Sequence, residues 1–480
     1  MTYESVIGLE VHAELSTATK IYCSCKNEFG LDVNTSCCPV CTGMPGTLPV
    51  LNKKVVDYAI KAGLAMHCDI TRRGKQDRKN YFYPDLPKAY QISQFDLPLC
   101  TNGYVEIDVN GEKKKIGITR IHIEEDAGKL THSIMGDESY VDFNRCGVPL
   151  IEIVSEPDLR SAEEARVYLE TLKSILQYIE VSDCKMEEGS LRCDINVSLR
   201  PVGQAEFGTR TEMKNVSTFS GGQRAIEYEI ARQAKILDAG GVIEQETRRW
   251  DDMKNENVLL RSKEEAHDYR YFPEPDLMPI VVDDAWVERI RAELPELPDV
   301  KKARYLGDYG ITDYEASIIV ANKDMARFFE ACVEGGGDAK QVSNWVLGDI
   351  SKILKEKEQG FAQIPFAPDD LNALIAMVAD KTISTTAAKK VLDGMFESAK
   401  TPKVLVEELG LAQISDTGAL EALVQEIISQ NPQSLEDYKN GKTRALGFLV
   451  GQAMKASKGK GNPQILNQLI LEKLEAYKNA

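Results

Sequence analysis

The sequence predicts an α+β protein whose strands gather in its first part. Residues 1–290 read as strand-rich with flanking helices, and residues 291–410 and 411–480 read as two all-helical parts. Three observations carry this. Short β-branched runs alternate with Gly, Pro, Asn and Asp turns through the first part. Five of those runs alternate with period two and load a single face with charge. After Trp286 the pattern changes to short helical runs separated by polar loops.

The five charged strands come in order. Val6–His12 places Glu10 and His12 on one face and Leu9 and Val11 on the other. Ile118–His132 begins as a strand and ends in Glu124, Glu125 and Asp126. Pro149–Val154 is apolar apart from Glu152, Leu191–Val197 aligns Arg192, Asp194 and Asn196, and Arg210–Lys214 aligns Arg210, Glu212 and Lys214. A single such segment reads as a solvated sheet face. Five of them, with carboxylates set inside apolar runs where unpaired charge is costly, point to a site for a cation or a phosphoryl group.

Between these strands, Cys23-x-Cys25 and Cys38-Pro-Val-Cys41 match a tetrahedral four-cysteine zinc knuckle over residues 23–41, with Cys37 to spare. Such a closed site is structural. Lys79–Gln91 mixes Tyr81, Phe82, Tyr83, prolines, Lys79 and Lys88 in a run too Pro-rich for a helix, and Tyr269–Asp276 echoes it. Such a loop either covers a core or neutralises phosphate while its rings stack on bases. Ser161–Tyr178 is an amphipathic helix with Ser161 as N-cap, Glu164 completing a capping box, and an apolar stripe of Leu169, Leu172, Ile175 and Leu176. A second helix is expected from about 222 to 237, and both should back the sheet with the charged face turned away. Helices are expected near 313–320, 323–335 and 342–359. Residues 411–480 carry a basic segment at Lys442–Arg444 and Lys455–Gly461.

The net charge of −17 argues against a protein that coats nucleic acid. From Asp437 to the end, however, eight Lys and Arg face three acids, a local +5 suited to touching a polyanion. No apolar run is long enough for a membrane span and the start lacks leader features, so the expected location is cytoplasmic. There is no G-x-x-x-x-G-K-S/T loop, no G-x-G-x-x-G after a strand and no G-x-S-x-G elbow. No cysteine sits in a glutaminase setting, and Ser217–Gly222 is too sparse for an amidase centre.

GLEVH at 8–12, DRKNYFYPDLPKAYQISQ at 77–94, HIEEDAGK at 122–129, PLIEIVSEPD at 149–158, MEEGSLRCDIN at 186–196, DYRYFPEPDL at 268–277 and the C-terminal NGKTRALGFLVGQAMKASKGKGNPQ together resemble the B subunits of tRNA-dependent amidotransferases. The resemblance runs from end to end. It implies a cradle-shaped catalytic domain at 1–290, a helical domain at 291–410 and a tRNA-binding tail domain similar to YqeY proteins at 411–480. It implies ATP with Mg2+ and a misacylated Glu-tRNA(Gln) or Asp-tRNA(Asn). The side-chain carboxylate would be phosphorylated, and ammonia from a glutaminase A subunit would displace the phosphate. A small C subunit would hold the two together.

On that chemistry, Glu10, Glu125 and Glu152 are expected as Mg2+ ligands with His12 beside them, and Glu124 ranks below Glu125 because alternation should turn it away. Lys79, Lys88, Arg192 and Lys214 would neutralise phosphate, and Asp194, Asn196 and Glu212 would guide ammonia or take its proton. Tyr81, Tyr83 and Glu187 would bind the nucleotide. Cys23, Cys25, Cys38 and Cys41 would hold structural zinc. Two rivals remain: a tRNA-binding scaffold without catalysis, and a carboxylate-metal nuclease.

Overall fold

The structure, a computed structural model, describes residues 2–133, 136–262, 268–412, 417–457 and 460–479. Lys458 and Gly459 of the expected basic segment lie outside them. The chain divides into two compact units between Pro298 and Asp299.

The first unit contains strands β1 (Tyr3–Glu14), β2 (Asp69–Ile70), β3 (Arg73–Gly74), β4 (Asp77–Asn80), β5 (Tyr90–Ser93), β6 (Cys100–Val109), β7 (Glu112–Glu125), β8 (Lys129–His132), β9 (Ser139–Asp142), β10 (Pro149–Ser155), β11 (Leu191–Pro201), β12 (Thr211–Lys214), β13 (Glu246–Asp251), β14 (Glu256–Ser262), β15 (Phe272–Pro273) and β16 (Ile280–Val281). Its helices are α1 (Lys53–Ala65), α2 (Ala162–Tyr178), α3 (Phe219–Asp238) and α4 (Asp284–Ala292). Nine strands make one sheet in the order β14-β13-β12-β11-β1-β10-β7-β6-β2. The five charged segments are five adjacent strands, β12-β11-β1-β10-β7, all paired antiparallel.

Register explains why their charges meet. His12 pairs with Glu152 and Arg192, Glu152 with His122, Glu10 with Asp194, and Asn196 with Glu212. Every one of these positions is even-numbered, so period-two alternation sends them all to one face. The odd-numbered Ile7, Leu9, Val11, Ile121, Ile123, Ile151, Ile153, Ile195 and Val197 go to the other face. There they join Leu169, Leu172, Ala225 and Ile226 of α2 and α3 in the core. Burying that face gives the apolar drive that fixes the register.

The helices follow their local signals with two changes. Ser161 caps α2 by accepting from the Glu164 N–H at 3.1 Å, but the Glu164 carboxylate accepts from the Arg160 N–H at 2.7 Å, so the expected capping box closes one residue early. Helix α3 starts at Phe219, ahead of the expected 222, because Thr218 accepts from Gly221 N–H and caps it. The helical texture after Trp286 begins inside the first unit: the Trp286 indole N–H donates to Asp57 at 2.6 Å, and α4 packs beside α1.

A three-stranded sheet, β15-β4-β5, joins the two aromatic, proline-rich segments. Arg78 makes two parallel bonds to Glu274, at 2.6 and 2.8 Å, and the Asn80 N–H donates to Tyr269 O at 2.9 Å. The echo at 269–276 is thus a partner strand of the first motif.

The second unit is helical: α5 (Pro298–Asp308), α6 (Asp313–Ala321), α7 (Lys323–Glu334), α8 (Ala339–Trp345), α9 (Ser351–Glu356), α10 (Pro368–Ala379), α11 (Thr385–Ser398), α12 (Pro402–Glu408), α13 (Thr417–Gln430), α14 (Pro432–Lys439), α15 (Arg444–Ala456) and α16 (Pro463–Asn479). The helix expected at 342–359 is interrupted by a π-helical stretch, Val346–Ile350. Helices α13, α15 and α16 enclose an apolar cluster of their own, including Val424, Leu449, Leu466 and Ile470. No helix of the described residues is long and apolar enough to cross a membrane.

Candidate active site

The charged face carries two acidic groups. In the first, His12 Nε2 lies 3.5 Å from Glu124 Oε1 and 3.3 Å from Glu152 Oε2. His122 Nε2 lies 3.5 Å from Glu124 Oε2 and 3.4 Å from the same Glu152 oxygen. Each histidine therefore touches both carboxylates. Glu124, Glu152 and His122 are buried. Burial works against the ionised form of Glu124, but the bond to His122 and the charges of both histidines outweigh it and hold its pKa down. Glu152 is likewise held low against its burial, by His122, His12 and Lys79.

Glu124 and Glu125 lie on the faces opposite to those expected of them. Alternation does separate them, and it is Glu124 that shares the even-numbered face and joins His12 and Glu152. Glu125 points to the other side, where its Oε1 accepts from the Ile92 N–H at 2.9 Å and pairs with Lys88. The Gln91 side chain also donates to its backbone carbonyl. Glu125 thus clamps β5 to the end of β7. Lys88 is engaged there, beside a cavity of about 130 Å3 that also reaches Cys23 and Cys41. The sequence could place the two acids on opposite faces; only the register with β1 and β10 decides which face is which.

The second group is Glu10, Asp194 and Glu212, with ligand atoms within 4.8 Å of one another. Asn196 donates to Glu10 at 3.1 Å, Thr247 donates to Glu212 at 2.8 Å, and Lys214 pairs with Asp194 and, at 3.0 Å, with Glu212. Burial raises the pKa of Glu10, and Glu152, Asp194 and Glu212 add to the shift, so Glu10 feels both groups. Arg192 sits in the same row as His12 but turns to Asp126, at 2.7 Å.

Lys79 approaches from β4. Its ammonium lies 4.8 Å from the Tyr269 ring centre and 5.9 Å from that of Tyr81. Burial opposes its charge, yet Glu124, the Tyr271 and Tyr269 rings and Glu152 raise its pKa. Tyr81 is half-buried, Tyr83 is exposed, and Glu187 lies in an exposed turn. Below Glu10, a cavity of about 540 Å3 is lined by Gly8, Ser155, Asn196, Phe207 and Arg210 among others, a size suited to a small organic ligand.

The donor set of His12, Glu124 and Glu152 fits a divalent cation: one imidazole nitrogen and two carboxylates converge within 4.8 Å, and the buried His122 Nδ1 has no partner among the described residues. Cys23, Cys25, Cys38 and Cys41 also converge within 4.8 Å and could hold a metal ion. Burial pushes the Cys25 thiol up, whereas the hydrogen bond from Cys23 draws the Cys41 thiol down.

Two residues beside these clusters are not among the expected site residues. His122 shares the parity of Glu124, and alternation through the strand already aligns the two on one face. Lys20, fully buried, donates to Ser36 O at 2.7 Å and lies 3.7 Å from Cys41 Sγ; nothing in its neighbourhood of Thr19 and Ile21 marks it.

Comparison with known proteins is consistent across the chain. The family described as "GatB/GatE catalytic domain" matches residues 5–288, and one described as "GatB domain" matches residues 327–474. Among curated proteins, the B subunit of the aspartyl/glutamyl-tRNA(Asn/Gln) amidotransferase of Caldicellulosiruptor bescii is 61% identical over 99% of this chain and all of its own length. Proteins of the same name from Caldanaerobacter subterraneus and Brevibacillus brevis are 58% and 54% identical, each over 99% of this chain.

Proposed function

The chain belongs to the B-subunit family of aspartyl/glutamyl-tRNA(Asn/Gln) amidotransferases, and we propose that it carries the ATP-dependent half of that reaction. Its substrate is Glu-tRNA(Gln), Asp-tRNA(Asn) or both. A side-chain carboxylate oxygen attacks the γ-phosphorus of ATP and ADP leaves. Ammonia then attacks the acyl carbon, phosphate departs, and the new amide nitrogen sheds a proton. Ammonia comes from a glutaminase A subunit, which a small C subunit holds in place. The observation that supports this most is the buried convergence of His12, Glu124 and Glu152 beside Lys79, in a chain alike to these subunits over its full length.

The reacting groups are both anions, so the chain must offset repulsion. His12, Glu124 and Glu152 would hold Mg2+, which would screen the phosphates and polarise the γ-phosphoryl group. Lys79 neutralises the incoming carboxylate or the transferred phosphoryl. The cavity below Glu10 takes the base and ribose of the nucleotide, with Lys214 toward its phosphates. This leaves Tyr81 and Tyr83, expected on the nucleotide, on the tRNA side; Glu187 has no role in this arrangement. Asp194, Asn196 and Glu212 receive ammonia and its proton, with Glu10 at the junction of the two groups. Arg192, held by Asp126, and Lys88, held by Glu125, position the walls. The four cysteines hold structural zinc. Residues 1–290 form the catalytic domain, 291–410 a helical domain, and 411–480 a tail whose Lys442, Arg444, Lys455 and Lys460 touch the body of the tRNA.

The test is phosphate release and amide formation by this chain assembled with a glutaminase partner, using free ammonium and ATP. Turnover only with Glu-tRNA(Gln) or Asp-tRNA(Asn), and not with uncharged tRNA, is expected. Binding of tRNA without turnover would leave a scaffold, and RNA cleavage without ATP would make it a nuclease.

A further inference from the structure

The segments flanking β15 and β5 carry a continuous line of aromatic rings. Lys79 lies over Tyr269, Tyr269 meets Tyr271 edge-on with centroids 6.1 Å apart, and Tyr271 stacks on Phe95 with centroids 4.3 Å apart and planes within 8°. The inner end of the line lies at Lys79, which the Glu124 and Glu152 charges reach. The outer end is Phe95, 58% exposed. A ring that only covered a core would turn its face inward. Phe95 is instead held outward, with its backbone N–H bonded to the buried Asp77 carboxylate at 2.9 Å and one ring face on Tyr271. The Arg78–Glu274 bonds brace the strands beneath it.

We propose that Tyr269, Tyr271 and Phe95 form a stacking track for the unpaired 3′ nucleotides of the tRNA and lead its aminoacyl end to Lys79. The proposal rests on the transamidation reading, since it is that reading which puts a tRNA-borne carboxylate at Lys79. The reacting amino acid is esterified to a single-stranded end, and flat apolar faces in sequence are what such an end binds, because every base has a π face. The near-parallel Tyr271–Phe95 pair has the geometry of two stacked bases, and the exposed Phe95 would receive another.

The test is a binding cycle with the full chain. Affinities of the unaltered protein, Phe95→Ala and Phe95→Trp are measured for an intact tRNA(Gln) transcript and for one trimmed of its unpaired 3′ nucleotides, and separately for ATP. Stacking on one ring predicts that Phe95→Ala weakens the intact tRNA by about 5- to 150-fold and leaves the trimmed tRNA unchanged. Phe95→Trp should bind as the unaltered protein does. An equal effect on both transcripts, no effect on either, or a loss that falls on ATP instead would overturn the track. If the unaltered protein binds neither transcript, the tRNA reading itself fails and the track with it.

Discussion

His12 and Glu152 face each other across the antiparallel β1–β10 pair, with Nε2 3.3 Å from Oε2. That contact is the centre of the candidate site. It exists because the two residues lie in one row of a sheet whose opposite face is apolar around them, at Val11, Ile123, Ile151 and Ile153, so that a slip of one residue would bury both of them in the core. His122 completes the row on the next strand.

The division of labour between adjacent carboxylates gives a direct comparison. Glu124→Gln removes one group from the cation cluster and is expected to weaken Mn2+ binding, and with it tRNA-dependent amide formation, by about 100-fold or more at nearly unchanged melting temperature. Glu125→Gln leaves Lys88 without its carboxylate and is expected to destabilise the fold by about 3 kcal/mol. Paramagnetic Mn2+ titration beside thermal melts would separate them; equal loss of Mn2+ affinity in both variants at equal stability would count against this assignment.

Zinc is expected at about one equivalent per chain, and its removal should loosen the first unit. Chelation at neutral pH, or Cys41→Ser, is expected to lower the melting temperature, and added Zn2+ should restore it only in the unaltered protein. Metal analysis together with calorimetry checks this. A purified chain that binds no zinc and melts alike with and without chelator would remove the knuckle from the account.

Glu315, in the second unit, offers a pH test of its own. It accepts from the Thr312 N–H at 2.9 Å, from Ser343 at 3.0 Å and from Lys340 at 2.7 Å. Its burial opposes ionisation, but Lys340 and Thr312 prevail and bring its pKa from 4.5 down to about 2. A carboxylate held low stabilises the folded state above its unfolded pKa and loses that contribution as pH falls toward the folded value. Glu315→Gln should therefore melt earlier than the unaltered chain at about pH 7, and the gap should narrow below about pH 4.5. A gap independent of pH would mean that the charge is immaterial.

Arg78 and Glu274 tie together segments almost two hundred positions apart, and the Glu274 side chain is fully buried. Glu274→Gln is expected to cost about 3 to 5 kcal/mol in chemical denaturation. Arg78→Lys should recover little of the bidentate geometry, because an ammonium cannot make two parallel bonds to one carboxylate. Activity should fall with stability in both, since Lys79 rides on the same strand.

By itself the sequence determined the α+β class, the change to helices after the strands, the five charged strands, the four cysteines and the family. Each of these is local or nearly so: alternation, a capping serine at 161, paired cysteines two or three residues apart, and long unbroken motifs. Tertiary structure alone decided the rest. It placed Glu124 rather than Glu125 with His12 and Glu152, drew the Tyr269 segment against Lys79, and set Lys20 beside Cys41. The reason is physical. Period two states which residues share a face, but which faces meet depends on strand order and register, and these are fixed by burying the apolar side of the sheet against α1, α2 and α3.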